Sequence, residues 1–171
     1  MFKTPVTIFH GLLCLLVLSL AGCGGDARPP GFPKLYPVSL KVTQGNVALA
    51  GASVKLREAN ASMTWSIGGM TDEEGIVVLW THGRFRGAPE GKFKVAVSKL
   101  VNEGEEELIA ALNREDHAAA KKITVNSYSL VAAEYESFST TPIEIEITRK
   151  TRTLDISAGA TVKIRREYLR D

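Results

Sequence analysis

Cysteine is nearly absent from this 171-residue chain: there are two, Cys14 and Cys23. Both sit near the N-terminus, so no disulfide framework can staple the remainder of the chain, and the domain must be held by its own apolar core. Histidine is as scarce, three in all. His82 and His117 have no cysteine or second histidine at metal-ligand spacing, which argues against a zinc site. Charge of one sign is lacking too. A net charge of +2 leaves no basic excess to replace phosphate counterions, so nucleic acid is not an expected partner. No glycine-rich phosphate loop occurs, and neither Ser66 nor Ser98 has a base at nucleophile spacing. Neither a cofactor nor catalysis is expected. The composition is otherwise 44% hydrophobic and 23% charged, with 15 Gly and 7 Pro, that of an ordinary globular domain with one core.

The N-terminus carries an address. Lys3 gives a short positive region, and Gly11 to Gly22 (GLLCLLVLSLAG) is an uncharged apolar run. It falls short of the roughly 18–20 apolar residues that span a bilayer, and Gly24, Gly25, Asp26 and Arg28 come directly after it and Cys23. Residues 1–22 therefore read as a signal peptide. Leu20, Ala21 and Gly22 followed by Cys23 resemble the lipobox of bacterial lipoproteins. The resemblance implies that Leu20, Ala21 and Gly22 are read by the signal peptidase and that Cys23 takes the lipid. Two or more acyl chains, at about 0.8 kcal/mol per buried methylene, would anchor the protein stably. The expected location is the periplasmic or cell-surface face of a bacterial membrane, with the leaflet open. Residues 23–37, with Pro29, Pro30, Pro33 and Pro37, read as a semi-rigid tether. Asn60-Ala61-Ser62 matches a glycosylation sequon of little weight.

From Val38 to Asp171 the dominant signal is period two, the mark of half-buried strands. Val38, Leu40 and Val42 alternate with Ser39, Lys41 and Thr43; Val54 and Leu56 with Lys55 and Arg57; Phe93, Val95 and Val97 with Lys92 and Lys94; Ile143, Ile145 and Ile147 with Glu144 and Glu146. Leu154 and Ile156 repeat the pattern. Ile76 to Trp80 is continuously apolar and reads as a strand covered on both faces. Turn chemistry separates these runs at Gln44-Gly45-Asn46, at Asp72-Glu73-Glu74-Gly75 and at Ala88-Pro89-Glu90-Gly91. One segment breaks the period. Glu103 to Lys122 places Glu105, Glu106 and Glu107 early and Lys121 and Lys122 late, an order that complements a helix dipole. This predicts a helix, broken near Asn113, with an apolar stripe of Leu108, Ile109 and Leu112. About seven strands with one helical insertion predict a mainly β sandwich.

The blocks Val42 to Val54, Gly69 to Gly75 and Gly87 to Val97, with Tyr135 and then Ser139 to Ile143, resemble the carboxypeptidase regulatory-like domain of small bacterial lipoproteins. The resemblance implies a seven-stranded transthyretin-like (prealbumin-like) β-sandwich and a non-catalytic module without a shared active site.

Three surface features are candidates for function. Trp65, Arg84, Phe85 and Arg86 combine aromatic and cationic groups suited to sugars or to a partner protein. Asp72, Glu73 and Glu74, with Glu90, offer oxygens for a cation, but consecutive residues diverge, and a solvated turn in which Asp72 bonds local backbone is the preferred reading. The stretch 149–171 holds seven Lys and Arg against three acids; it reads as a charged, protected sheet edge or as a contact for anionic lipid. The expectation is a lipid-anchored envelope module with a structural or protein-interaction role. A carbohydrate-binding or nutrient-capture accessory is the alternative, and a domain serving a partner hydrolase is a third. Oligomeric state is left open.

Overall fold

The computed structural model describes residues 28–59 and 65–166. Leu20, Ala21, Gly22 and Cys23, the signal peptide and the Asn60 sequon lie outside the described residues. The chain divides into two units, Met1–Phe32 and Pro33–Asp171. The second carries the strands; Leu35 is buried in it and Tyr36 bridges Ala88.

Its strands are β1 (Ser39–Gln44), β2 (Val47–Ala48), β3 (Ser53–Glu58), β4 (Ile67–Met70), β5 (Ile76–Val78), β6 (Trp80–Thr81), β7 (Phe85–Arg86), β8 (Gly91–Ser98), β9 (Leu100–Glu103), β10 (Asn126–Ser129), β11 (Glu144–Ile147), β12 (Thr153–Ser157) and β13 (Ile164–Arg166). Among the described residues three short helices interrupt them: α1 (Glu105–Asn113), α2 (His117–Ala120) and α3 (Ala133–Glu136). One sheet runs β12-β1-β2, with β5 also paired to β1; a larger one runs β11-β8-β3-β4-β6-β7; a third, small sheet runs β13-β10-β9.

The first two sheets face each other across one core, as period-two patterning requires of sheets with one apolar side. Val38, Leu40 and Val42 from β1 and its approach, Val77 from β5 and Ile156 from β12 meet Val54 and Leu56 from β3, Phe93, Val95 and Val97 from β8 and Ile147 from β11. Each large side chain buried there is worth roughly 1.5–3 kcal/mol. The mainly β sandwich with a helical insertion is thus the observed fold. The strands are thirteen among the described residues, more than the seven read from periodicity, because β2, β6 and β7 have only two residues each and β4 (IGGM), β9 (LVNE) and β10 (NSYS) do not alternate apolar with polar residues.

The run Ile76 to Trp80 departs from expectation. Val77, Leu79 and Thr81 are fully buried, whereas Trp80 is 40% exposed. The chain pairs with β1 through β5, then leaves that sheet at Leu79 and pairs with β4 through β6. It is a corner joining the two sheets, and its outward positions happen to be apolar.

Buried polar groups lock the turns. Thr71 Oγ1 donates to Leu49 O (2.6 Å) and accepts from Ala52 N (2.8 Å). Gln44 Nε2 donates to Leu130 O (2.7 Å) and Ala160 O (3.0 Å). Among the described residues no buried side-chain nitrogen or oxygen lacks a partner, as a stable interior demands.

The helical insertion breaks near the predicted point. Gly104 starts α1 from φ 88°, where an added Cβ would lie 2.6 Å from Thr124 O. Glu115 has φ 59°, and the Asp116 side chain accepts from Ala119 N at 2.9 Å to cap α2. Of the expected apolar stripe only Leu108 is half-buried, while Ile109 and Leu112 are about half exposed; the fully buried residue of α1 is Ala111. Among the described residues no helix is long and apolar enough to cross a membrane.

Candidate binding groove on the outer face of the large sheet

Strand alternation dictates what the large sheet turns away from the core. With Val54 and Leu56 inward on β3, Lys55 and Arg57 face outward; with Ile67 inward on β4, Gly68 and Met70 face outward. Lys55 pairs with Gly68, Gly68 with Trp80, and Trp80 with Arg86. These four residues therefore form one row across β3, β4, β6 and β7. At about 4.8 Å between neighbouring strands, Lys55 and Trp80 stand roughly 10 Å apart, with a glycine between them.

Gly68 cannot be replaced without strain, since a Cβ there would lie 2.2 Å from Val54 O. The row consequently has a side-chain gap flanked by a cation and an indole. It opens into a groove of about 500 Å³ whose walls include Lys55, Arg57, Trp65, Met70, Trp80 and Phe138. That volume is within the range of small-ligand sites. Trp80 and Met70 are 40% and 69% exposed. Trp65 is half-buried and meets the His82 ring edge-on, centroids 5.5 Å apart. Arg57 lies over the Phe138 ring at 4.4 Å, an arrangement that holds a guanidinium at the rim while covering the ring. The far wall is shaped by a tight turn, with His82 at φ 54°, Gly83 at φ 66° and Arg84 N bonded to Thr81 O at 3.3 Å. Two successive positive φ values are those of a hairpin turn that matches strand twist.

The four platform residues read from the sequence are divided by this geometry. Trp65 lines the groove, and Arg86 shares the outward row with Trp80. Phe85 pairs with buried Thr81, so it occupies the other face, and Arg84 lies over its ring at 5.5 Å. Sequence reasoning missed Lys55, Arg57, Gly68, Met70, Trp80 and Phe138 as members of the site. The signal that could have found them was Gly68-Gly69 inside a strand, which marks close approach by backbone or ligand.

The acidic turn behaves as ordinary turn chemistry. Asp72 Oδ1 accepts from Ile76 N at 2.7 Å, and Gly75 N donates to Asp72 O at 3.0 Å with Gly75 at φ 75°. Glu73 and Glu74 are exposed, and Glu90 accepts from Arg149 N at 3.0 Å. Among the described residues no three His, Cys, Asp or Glu side chains converge as a metal site would require. The basic tail is engaged as well. Lys163 bonds Glu103 and lies over the Tyr128 ring, Arg165 donates to Asn126 Oδ1 at 2.8 Å, and Arg166 pairs with Glu136. The hydrogen bond to Glu103 raises the Lys163 ammonium above its usual range. These contacts fasten β13 to the small sheet.

No protein-family model matches the chain, and no curated protein matches it. Among solved structures, a crystal structure of the major pilin subunit of Bacillus cereus aligns with it at 18% identity and a TM-score of 0.39. The alignment covers 74% of this chain and 30% of that one. The chain thus spans under a third of the pilin's length, and a likeness of this size carries no functional argument.

Proposed function

We propose that this protein is a non-catalytic binding module of the bacterial cell envelope, anchored through lipid on Cys23 and presenting the outer face of its large sheet to a ligand. The observation that carries the reading is the groove above Gly68: an exposed indole, an exposed methionine and two outward cations converge where a strand has no side chain. A sandwich whose only task was to fill space would gain nothing from exposing Trp80 and Met70 side by side, since apolar clusters on a surface usually mark contact sites. The lipobox-like Leu20 to Cys23 and the proline-rich segment after it support presentation from a membrane. The sequence resemblance to carboxypeptidase regulatory-like domains of lipoproteins favours the same role, with a transthyretin-like arrangement of the sandwich.

Two measurements test this. Intact-mass analysis of the membrane fraction should find residues 1–22 removed and acyl mass on Cys23; a soluble, unacylated chain retaining Met1 would reject the anchor. Photo-crosslinking in living cells from position 70, in the groove, should capture a ligand that the same probe at Val47 misses. Val47 is 71% exposed and lies on the opposite sheet, so equal adducts from both positions would reject the groove as the functional surface.

A further inference from the structure

The ligand class follows from how charge is distributed over the face that holds the groove, and the inference rests on the proposed binding role. The charged outward residues of β8 are Lys92 and Lys94, and those of β11 are Glu144 and Glu146. Glu144 stands opposite Lys94 and Glu146 opposite Lys92 in the strand register, so each cation on that edge of the face has an acid as its cross-strand neighbour. At the other end the cross-strand neighbours among the described residues are Gly68 and Ala96 for Lys55, Lys94 for Arg57 and Trp80 for Arg86, none of them an acid. Lys55, Arg57 and Arg86 are exposed, and among the described residues no carboxylate lies within 4.0 Å of any of them, the ion pairs falling elsewhere. The acids nearest in sequence do not answer them. Glu58 has the parity of Leu56 and lies on the inward side of β3, with its carboxylate beside Gly91.

Lys55 and Arg57 line the groove beside two tryptophans and a glycine floor, and Arg86 ends the row beyond Trp80. We infer that the groove takes a segment of an anionic polysaccharide, with its carboxylates on Lys55, Arg57 and Arg86 and the apolar face of a sugar ring on Trp80. The face of a sheet decides against a peptide. Its backbone N–H and C=O groups are consumed in the ladders on either side, so an extended chain laid there finds no main-chain partners, unlike one added at an edge. A sugar ring needs none: one side presents C–H groups to an indole while substituents around the rim reach cationic tips. Single-stranded nucleic acid would also stack, but it needs cations tracking a phosphate at every step, and here two stand together on β3 while the third is three strands away at the end of the row.

The chain's two tryptophans, Trp65 and Trp80, both line the groove, so intrinsic fluorescence reports occupancy directly. The full-length chain in detergent micelles is titrated with polygalacturonate, amylose, polyglutamate and a single-stranded oligonucleotide. Saturable change with polygalacturonate alone is expected. The double variant Lys55→Gln/Arg57→Gln should weaken it about tenfold, with a cooperative urea transition whose midpoint falls by no more than about 0.5 M, the loss of the Arg57–Phe138 contact, confirming the fold. Trp80→Ala, read through Trp65, should weaken it by about tenfold or more. Salt at 1 M, where screening acts within about 3 Å, should bring the parent chain towards the double variant. Equal binding of amylose, indifferent to the two cations, would overturn the anionic assignment. Equal binding of polyglutamate or the oligonucleotide would overturn the sugar. Silence with all four polymers, alongside adducts from position 70, would overturn this inference and leave the binding role standing; silence in both would remove both.

Discussion

Replacing Thr71 by valine tests the way the groove's floor is held. Thr71 comes directly after β4 and is 5% exposed. Its hydroxyl joins two strand connections at once, donating to Leu49 O at 2.6 Å and accepting from Ala52 N at 2.8 Å. Valine keeps the volume and removes both bonds, leaving a buried carbonyl and a buried N–H without that partner. Each orphaned group costs about 1–3 kcal/mol. The backbone bond from Thr71 N to Ala52 O, 2.9 Å, survives and retains some order. The expected loss is therefore about 2–4 kcal/mol, the lower half of the combined range. Urea unfolding measured by tryptophan fluorescence gives its size. With a slope of about 2 kcal/mol per molar, the middle of the range for small domains, the midpoint should fall by about 1–2 M at unchanged slope. Thr71→Ser should recover most of the loss. A Thr71→Val midpoint within about 0.3 M of the parent, roughly 0.5 kcal/mol on that slope, would refute the claim that this hydroxyl ties β4 to the β2–β3 connection.

Gly69→Ala would put a Cβ 2.7 Å from Val77 Cγ2 and 2.8 Å from Val78 O, so thermal unfolding should show a loss of about 1–3 kcal/mol; an unchanged melting temperature would mean the two sheets have room to part. In α1, Ala111→Leu should destabilise by a similar amount through overpacking, whereas Leu112→Glu, at a half-exposed site, should change stability by less than about 0.5 kcal/mol; the reverse order would show that the other side of the helix is the docked one. Lys163 has a folded pKa raised from 10.5, chiefly by Glu103. Its contribution is full below the unfolded value and is lost as pH rises through the folded one. Amide exchange in β13, compared with Lys163→Met and corrected for intrinsic rate, should show protection falling above about pH 10.5 in the parent only. A fall beginning near neutrality would rule out this pair as its cause. Asp72→Ala should cost about 0.5–1.5 kcal/mol through the bond to Ile76 N, and added calcium should not alter the parent's melting temperature; a calcium-dependent rise abolished by Asp72→Ala would overturn the turn reading.

The strands of the core were legible because their two faces differ in chemistry: β3, most of β1 and the first half of β8 alternate apolar with charged or polar residues, and burial tracks the alternation until Ala96, which is buried on the outward side of β8. The corner at Leu79 was not, although it alternates just as strictly. Val77, Leu79 and Thr81 are inward and Ile76, Val78 and Trp80 outward, but the outward members are apolar too, so chemistry conceals the period. The groove escaped for a related reason. Its defining element is the side chain that Gly68 lacks, and its row of Lys55, Gly68, Trp80 and Arg86 exists only once four strands are in register. Trp65 stands out in the sequence for its ring, and Phe85 for its place between two arginines; strand parity, invisible in so short a stretch as β7, sends Phe85 to the other side. The helix was legible from its charge order, while its docked face was not, because a buried alanine leaves little trace in an amphipathic pattern.

The parallel pairing of β1 with β12 sets the order in which the protein can be made. Thr43 Oγ1 bonds Ile156 O across 113 positions of chain, and at about 5–20 residues per second synthesis alone separates the two by roughly 6–23 s. During that interval β1 can collect β2 and β5, but one of its long edges has no neighbour, and an apolar strand with an open ladder is a template for foreign strands. Closure is therefore among the last events of folding and, being non-local, among the slow ones. A chain of this design is best kept unfolded, or held by a chaperone, until residues 153–157 have arrived.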